Sequence, residues 1–458
     1  MKKILALLLA LVMVFALAAC GQQAAPAPAE KPAEAPAAEA PAAEAPAAEA
    51  PAASEVNLTL WTYPIGGWGN AEVVDKLIAD FEAANPGIKV AVEYLDYTNG
   101  DDQVNTAIEG KAAPDLIMEG PERLVANWGA KGYMVDLADL WDDTDKAEVN
   151  PSVVAACFNS QGACYEYPVC MTAHCMAVNL DAFKAAGADQ YLNLDTLTWT
   201  TDDFVNAVKA LKAAGFENVA AIYCSGQGGD QGTRAIINNL YGGTFTDAAH
   251  TKYTADSPEN IKAIELLKSL DGVTFDASIN GGQEIDLFRQ NILQMAFCWN
   301  IGAQTNTAAG NEPGKTNSGD QIVCMAFPSD DGKAELCGGI WGFGIFDNGD
   351  AAKIEAAKTF IKYFGDSAAT ADAVAASTYF AVRDTAEGND LTGIYAGNDT
   401  MTEYTKLMPM LGDYYQVTPG WAEARTAWWN MLQQVGAGTD VSEAVATFTE
   451  AANAAAAG

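Results

Sequence analysis

Apolar and polar residues alternate through Val56-Asn57-Leu58-Thr59-Leu60, the period of a strand with one buried face. A Gly-rich loop follows, Tyr63 to Asn70. Val73, Val74, Leu77, Ile78 and Phe81 then fall on one face of a helix. Asn85-Pro86-Gly87 stops that helix, and Ile88, Val90, Val92 and Tyr94 alternate as a second strand. Strand, helix and strand with short links predict a βαβ unit in a largely parallel sheet. The pattern recurs downstream. Pro114 to Met118 reads as a buried strand. Thr200 opens a helix carrying Phe204, Val208 and Leu211, and Ser257-Pro258 opens another carrying Ile261, Ile264, Leu267 and Leu270. Gly338 to Ile345 is a strand interleaved with glycines, which predicts close backbone approach. The architecture is therefore α/β, and one sheet cannot absorb so many elements, so two lobes are expected.

The amino terminus is different. Lys2-Lys3 precedes an apolar run from Ile4 to Ala19, ending Leu17-Ala18-Ala19-Cys20. A basic start, a short apolar core and small residues before a cut site form an export signal. The run is too short to span comfortably a hydrocarbon core, which needs roughly 20 residues. Cysteine at the cut point resembles the lipobox of bacterial lipoproteins. That resemblance implies a signal over residues 1–19 and a lipid-modified Cys20, a stable anchor when more than one acyl chain is present. The alternative is an ordinary cleaved signal with a chance cysteine. Residues 20–55 form a linker in which Ala-Pro-Ala-Ala-Glu recurs from Ala35, Ala40 and Ala45. Regular proline favours an extended stalk with a reach on the order of 90 Å.

Composition narrows the function. Lys+Arg number 25 against 60 Asp+Glu, a formal net charge of −35. Such a field repels phosphate backbones, so no nucleic-acid partner is expected, and it argues against direct binding to an anionic lipid surface. Beyond Cys20 there are eight cysteines, for which 105 pairings exist. Cys157 and Cys164 flank a turn and are the first pair to test; buried free thiols are the equal alternative. Cys170, His174 and Cys175 lie on one predicted strand whose alternation splits them between two faces, so packing is the better reading and no metal is expected. Ala309 to Thr316 ends like a phosphate-binding loop but lacks its first glycine and the preceding strand, and reads as surface. No nucleophile elbow precedes a helix. Neither catalysis nor a cofactor is indicated.

Several motifs occur in order: Leu60-Trp61, Asn85 to Val90, Pro114 to Ile117, Tyr167 to Asn179, Met295 to Phe297, Gly338 to Gly342 and Pro419-Gly420-Trp421. Together they resemble the extracellular solute-binding proteins of ABC importers, in the large sugar-binding branch, over nearly everything after residue 55. The resemblance implies a two-lobed periplasmic-binding-protein-like fold with the ligand held between lobes. It divides the chain into lobe 1 (56–168 and 328–382) and lobe 2 (169–327 and 383–458). Crossings are placed near Tyr167–Met171, Phe327–Pro328 and Ala381–Asp384. It further implies a monomer outside the cytoplasm that captures a small carbohydrate and delivers it to a membrane permease.

Sugars present apolar C–H faces and a rim of hydroxyls, so a site needs aromatic surface and planar polar groups. Ligands of open α/β sheets sit beyond the carboxyl ends of strands. Tyr63 and Trp68 flank the first such loop. Glu119, Glu122 and Arg123 follow the strand ending at Met118, and the family places ligand-binding polar residues there. Thr172 lies on the first crossing, where the family often has a ligand contact. Gln227 and Asp230 follow the strand ending near Cys224. Trp299 and Asn300 follow Met295–Cys298, a recurrent sugar platform in the family. Trp341 sits among glycines, and Trp421 opens the last helical region. Two rival readings remain: a binding protein for a non-sugar solute such as a peptide or polyamine, and a lipid-anchored glycan-cleaving enzyme with two carboxylates.

Overall fold

The computed structural model describes residues 55–457, except Thr98 and 227–229. The export signal, Cys20, nearly all of the linker and Gln227 lie outside the described residues. In chain order the strands are β1 (Val56–Thr62), β2 (Ile88–Tyr94), β3 (Leu116–Glu119), β4 (Tyr167–Ala173), β5 (Cys175–Asn179), β6 (Ala220–Tyr223), β7 (Val273–Asp276), β8 (Met295–Trp299), β9 (Ile322–Met325), β10 (Gly338–Ile345) and β11 (Phe380–Ala381).

Strand β1 buries Leu58, Leu60 and Thr62 and exposes Asn57 and Thr59, as its alternation requires. The following helix α1 (Ala71–Ala84) is capped by the Asn70 side chain, which accepts the Glu72 N–H. Its buried face is Val74, Leu77, Ile78 and Phe81, and Phe81 meets Phe360 edge-on at 5.0 Å. Burying each such side chain contributes about 1.5–3 kcal/mol. Strands β1 and β2 pair in parallel, and β3 joins β1 in parallel on its other side. Strand β10 is antiparallel to both β3 and β4, so the first sheet, ordered β11-β4-β10-β3-β1-β2, is mixed rather than uniformly parallel. The glycines of β10 do admit close approach: a Cβ on Gly342 would lie 2.2 Å from the Tyr167 carbonyl oxygen.

The second set of strands comes from 175–325. Strands β9-β5-β8 form an antiparallel sheet and β6-β7 a parallel pair. The Val219 carbonyl joins them, accepting the N–H groups of Gln294 (2.9 Å) and Met295 (3.0 Å). Of the helices α2 (Thr201–Ala213), α3 (Gln231–Tyr241), α4 (Pro258–Ser269), α5 (Trp421–Ala437) and α6 (Val441–Ala456), α3, α4 and α5 pack against these strands, and α6 packs on α4 and α5. Phe245, Trp428 and Phe448 meet in one aromatic cluster beneath the last two helices.

The first passage between sheets lies later than the motif at Tyr167–Met171 predicts. All of β4 is laddered to β10, from Phe343↔Tyr167 to Gly338↔Ala173, so the chain changes sheet only at His174. The His174 N–H donates to the Cys337 carbonyl at 2.8 Å. The chain returns between Met325 and Gly338 and leaves the first sheet after Ala381. The eight cysteines from Cys157 to Cys337 are all buried free thiols, which decides between the two alternatives for Cys157 and Cys164. Among the described residues no helix is long and apolar enough to cross a membrane, and no cluster of side chains has the makings of a metal site.

Candidate functional site

A cavity of about 370 Å³ opens where the ends of strands from the two sheets face one another. From the first sheet come Pro64 and Ile65 after β1, then Glu119, Glu122 and Arg123 at the end of β3, and Trp341 on β10. Tyr379, just before β11, completes that wall. Opposite are Trp299 at the end of β8 and Asn300 after it, Gln231 at the start of α3, and Arg425 from α5. His174 lies at the passage between them.

The aromatic surfaces are held rigidly. Trp341 and Tyr379 stack with centroids 4.7 Å apart and planes 17° from parallel. The Trp299 Nε1–H donates to Gln304 Oε1 at 3.0 Å, and its ring meets Phe288 edge-on at 5.3 Å. The Arg289 guanidinium lies 5.2 Å from the Trp299 centroid. Tyr97, half exposed at the rim, stacks on Tyr63 at 5.1 Å. Arg123 lies within cation–π range of both rings.

Charges in the cleft are matched in place. Arg123 Nε donates to Asp101 at 2.7 Å, and its Nη1 donates to Glu119 at 3.0 Å and to Glu122 at 3.5 Å. Glu122 in turn accepts the Tyr414 hydroxyl at 2.6 Å. Burial pushes the Glu119 carboxyl up to about 8, against the pull of Arg123. Arg425 donates to both oxygens of Asp230, at 3.0 and 2.9 Å. Asp230 is also paired with the buried Arg234. Burial acts to raise the Asp230 carboxyl, but the two guanidiniums outweigh it and hold it at about 2. Burial lowers His174 to about 4, so it faces the cleft as neutral imidazole at pH 7. The buried Gln231 Oε1 has no protein partner, an acceptor available to a ligand. Asn300 uses its Oδ1 to cap the short helix Ile301–Thr305 through the Ala303 N–H at 3.0 Å, which fixes its amide at the wall.

Of the residues singled out in sequence, Glu119, Glu122, Arg123, Trp299, Asn300 and Trp341 converge on this cavity. Others do not. Trp68 is fully buried between Phe343 and Phe364, with its Nε1–H donated to the Ala373 carbonyl, so it is a core residue. Trp421 packs on Phe245 and Tyr415 with Arg234 4.7 Å from its centroid, again in the interior. Thr172 is buried within β4, its hydroxyl donating to the Ala173 carbonyl at 3.4 Å. Tyr63 lies one layer back, donating to Asp101 and supporting Tyr97. Asp230 likewise acts from behind, holding Arg425. Sequence reasoning missed Tyr97, Tyr379, Gln416 and Arg425 as wall residues. Proximity of Tyr379 to the third crossing was the one signal available for it.

Two α/β lobes around an aromatic and polar cleft, with the chain passing between sheets three times, define a bilobed binding protein. The sequence matches the family model described as bacterial extracellular solute-binding protein over residues 67–371, and the chain belongs to that family. It is a family of binding proteins that act outside the cytoplasm. Solved structures share the fold. An ABC transporter solute-binding protein from Agrobacterium radiobacter K84, in complex with ribitol, is 21% identical with a TM-score of 0.63, covering 88% of this chain and 99% of that one. Lmo0181 from Listeria monocytogenes, in complex with cycloalternan, is 17% identical with a TM-score of 0.66, covering 88% and 99%. Maltose-bound MalE3 of T. maritima is 16% identical with a TM-score of 0.65, covering 87% and 99%. Comparison with curated proteins finds no match.

Proposed function

We propose that this chain is the substrate-binding component of an ABC importer for carbohydrate, tethered to the membrane through Cys20. The observation that carries this reading is the internal charge balance of the cleft. Both arginines on its walls already have acidic partners: Arg425 pairs with Asp230, which it shares with Arg234, and Arg123 pairs with Asp101 and Glu122 and also hydrogen-bonds Glu119. Flat aromatic faces stand beside them. Such a site suits a neutral polyol and disfavours an anion or an amine, either of which would leave a buried charge unmatched. The ligands named for the structural relatives above, ribitol, maltose and cycloalternan, are of the same chemical kind. In this reading the lobes comprise residues 56–173 with 338–382, and 175–325 with the C-terminal helices. The protein works as a monomer, performs no covalent chemistry and needs no cofactor. Ligand binds the closed arrangement best and so shifts the population toward it, and the permease receives the closed form.

The test is thermal-shift screening of the mature protein against neutral mono- and oligosaccharides, followed by titration calorimetry of hits. A binding ligand raises the melting temperature by mass action. Stabilisation by a neutral sugar supports the proposal. Stabilisation only by amines, peptides or anionic solutes overturns it.

A further inference from the structure

A second, larger cavity of about 590 Å³ shares no lining residue with the cleft. Its walls are the carboxy-terminal end of α3, the loop running on to Thr246, the connector between β9 and β10, and Asp413. Three features describe its chemistry. Asp330, Asp331, Glu335 and Asp413 line it against a single lysine, Lys333. The end of α3 adds partial negative charge from its final carbonyls. Beyond the acids, Asn238 Oδ1, Thr246 Oγ1 and Ser329 Oγ are buried with no hydrogen-bond partner. Thr246 and Ser329 are only 6% and 3% exposed. A buried polar atom left unpaired costs about 1–3 kcal/mol, so three around one cavity call for an occupant that donates hydrogen bonds. A bare metal ion does not answer this, because the described residues contain no grouping of carboxylates able to hold one. An elongated molecule does. Phe245, Leu336 and Tyr415 supply apolar surface between the polar points.

We propose that this cavity is a second binding site, specific for a small aliphatic polyamine whose ammonium groups meet the carboxylates and donate to Asn238, Thr246 and Ser329. The methylene segments lie along Phe245 and Leu336. An occupant bridges α3 and the connector between β9 and β10. These are already joined by Asn239, which donates to the Glu335 carbonyl at 2.8 Å and accepts the Glu335 N–H at 2.7 Å. The proposal stands independently of the carbohydrate assignment.

Calorimetric titration of the mature protein with spermidine tests it. Saturable one-to-one binding is expected, weakening as salt rises. Asp331→Asn combined with Asp413→Asn should weaken it about tenfold or more, equivalent to about 1.4 kcal/mol. Ser329→Ala should weaken it several-fold while leaving the amine-free melting temperature unchanged or higher, because the hydroxyl has no protein partner to lose. Trp341→Ala, in the cleft, should leave it intact. Three results overturn the proposal: no saturable heat, equal loss in a control pair Asp142→Asn and Asp143→Asn, or loss on Trp341→Ala. The second would mark diffuse condensation on an acidic protein, and the third would move the amine into the cleft.

Discussion

Trp341 and Tyr379 lie face to face on the wall of the cleft, 4.7 Å between centroids and 17° from parallel. They come from β10 and from the turn before β11, two strands separated in the sheet by β4. The stack covers the facing sides of both rings and leaves outer apolar surface beside polar groups, among them Gln231 Oε1, which has no protein partner. That combination is what a sugar's C–H face and hydroxyl rim require.

Removing a plate should cost affinity and little else. Trp341→Ala is expected to weaken carbohydrate binding by about 1 kcal/mol or more, whereas Trp299→Ala, whose ring is 1% exposed, should lose stability along with binding. Trp341 is half-buried, so its removal should preserve folding. Trp68→Ala and Trp421→Ala should behave in the opposite way, lowering stability by roughly 3–5 kcal/mol through a core cavity. Calorimetry and urea unfolding separate Trp341→Ala from Trp68→Ala and Trp421→Ala. Equal loss of binding in Trp421→Ala at full stability would contradict the placement of the site.

Gly339 makes room for that plate. A Cβ at this position would stand 2.3 Å from the outer edge of the Trp341 indole. The indole, not the backbone, is the group able to move. Gly339→Ala should therefore fold with a nearly unchanged urea midpoint yet bind sugar several-fold more weakly, with altered tryptophan fluorescence. A variant that binds normally would show the plate to be unimportant.

Most of the frame was legible because it rests on local periodicity. The alternation of β1 and the helical face Val74, Leu77, Ile78 and Phe81 appear as the hydrophobic pattern demands. The loop after β3 was legible from its place at a strand end. The aromatics were harder. Trp68 and Trp299 are both buried, and only long-range packing decides that Trp68 sits between Phe343 and Phe364 while Trp299 reaches the cleft wall. Arg425 was hidden for the same reason: it lies on a helix 195 residues from its partner Asp230. The shift of the first crossing to His174 reflects a ladder with β10 that no local pattern encodes.

The eight thiols make a chemical prediction. All are buried, and burial pushes Cys157, Cys164, Cys170, Cys224, Cys298, Cys324 and Cys337 above the ordinary thiol range. The thiolate is the reactive form, so the native chain should be almost inert to a thiol reagent at neutral pH. Titration with a chromogenic disulfide should find nearly none before denaturation and all eight after it, in protein lacking Cys20. The melting temperature should not change on adding reductant. Fewer than eight thiols after denaturation without reductant would reveal a disulfide.

Asp230 links buried charge to acid stability. It is fully buried, paired with Arg234 inside α3 and with Arg425 from α5. Its folded value of about 2 lies below its ordinary 3.8. As pH falls, the unfolded chain takes up this proton first, so the group's contribution to stability is complete above about pH 4 and drains away between pH 4 and 2. Asp145, where burial is outweighed by hydrogen bonds from Asp142 and Arg383, shifts in the same direction and steepens the fall. Asp230→Asn should lose roughly 3–5 kcal/mol at pH 7, because Arg234 is left buried without its counter-charge. Arg425→Gln is the milder variant: with one guanidinium gone the carboxyl rises toward its ordinary value, so less stability remains to be lost in acid. Urea midpoints at pH 7, 4, 3 and 2 should therefore converge between wild type and Arg425→Gln as pH drops. Parallel curves, separated by the same amount at every pH, would place the acid sensitivity elsewhere in the molecule.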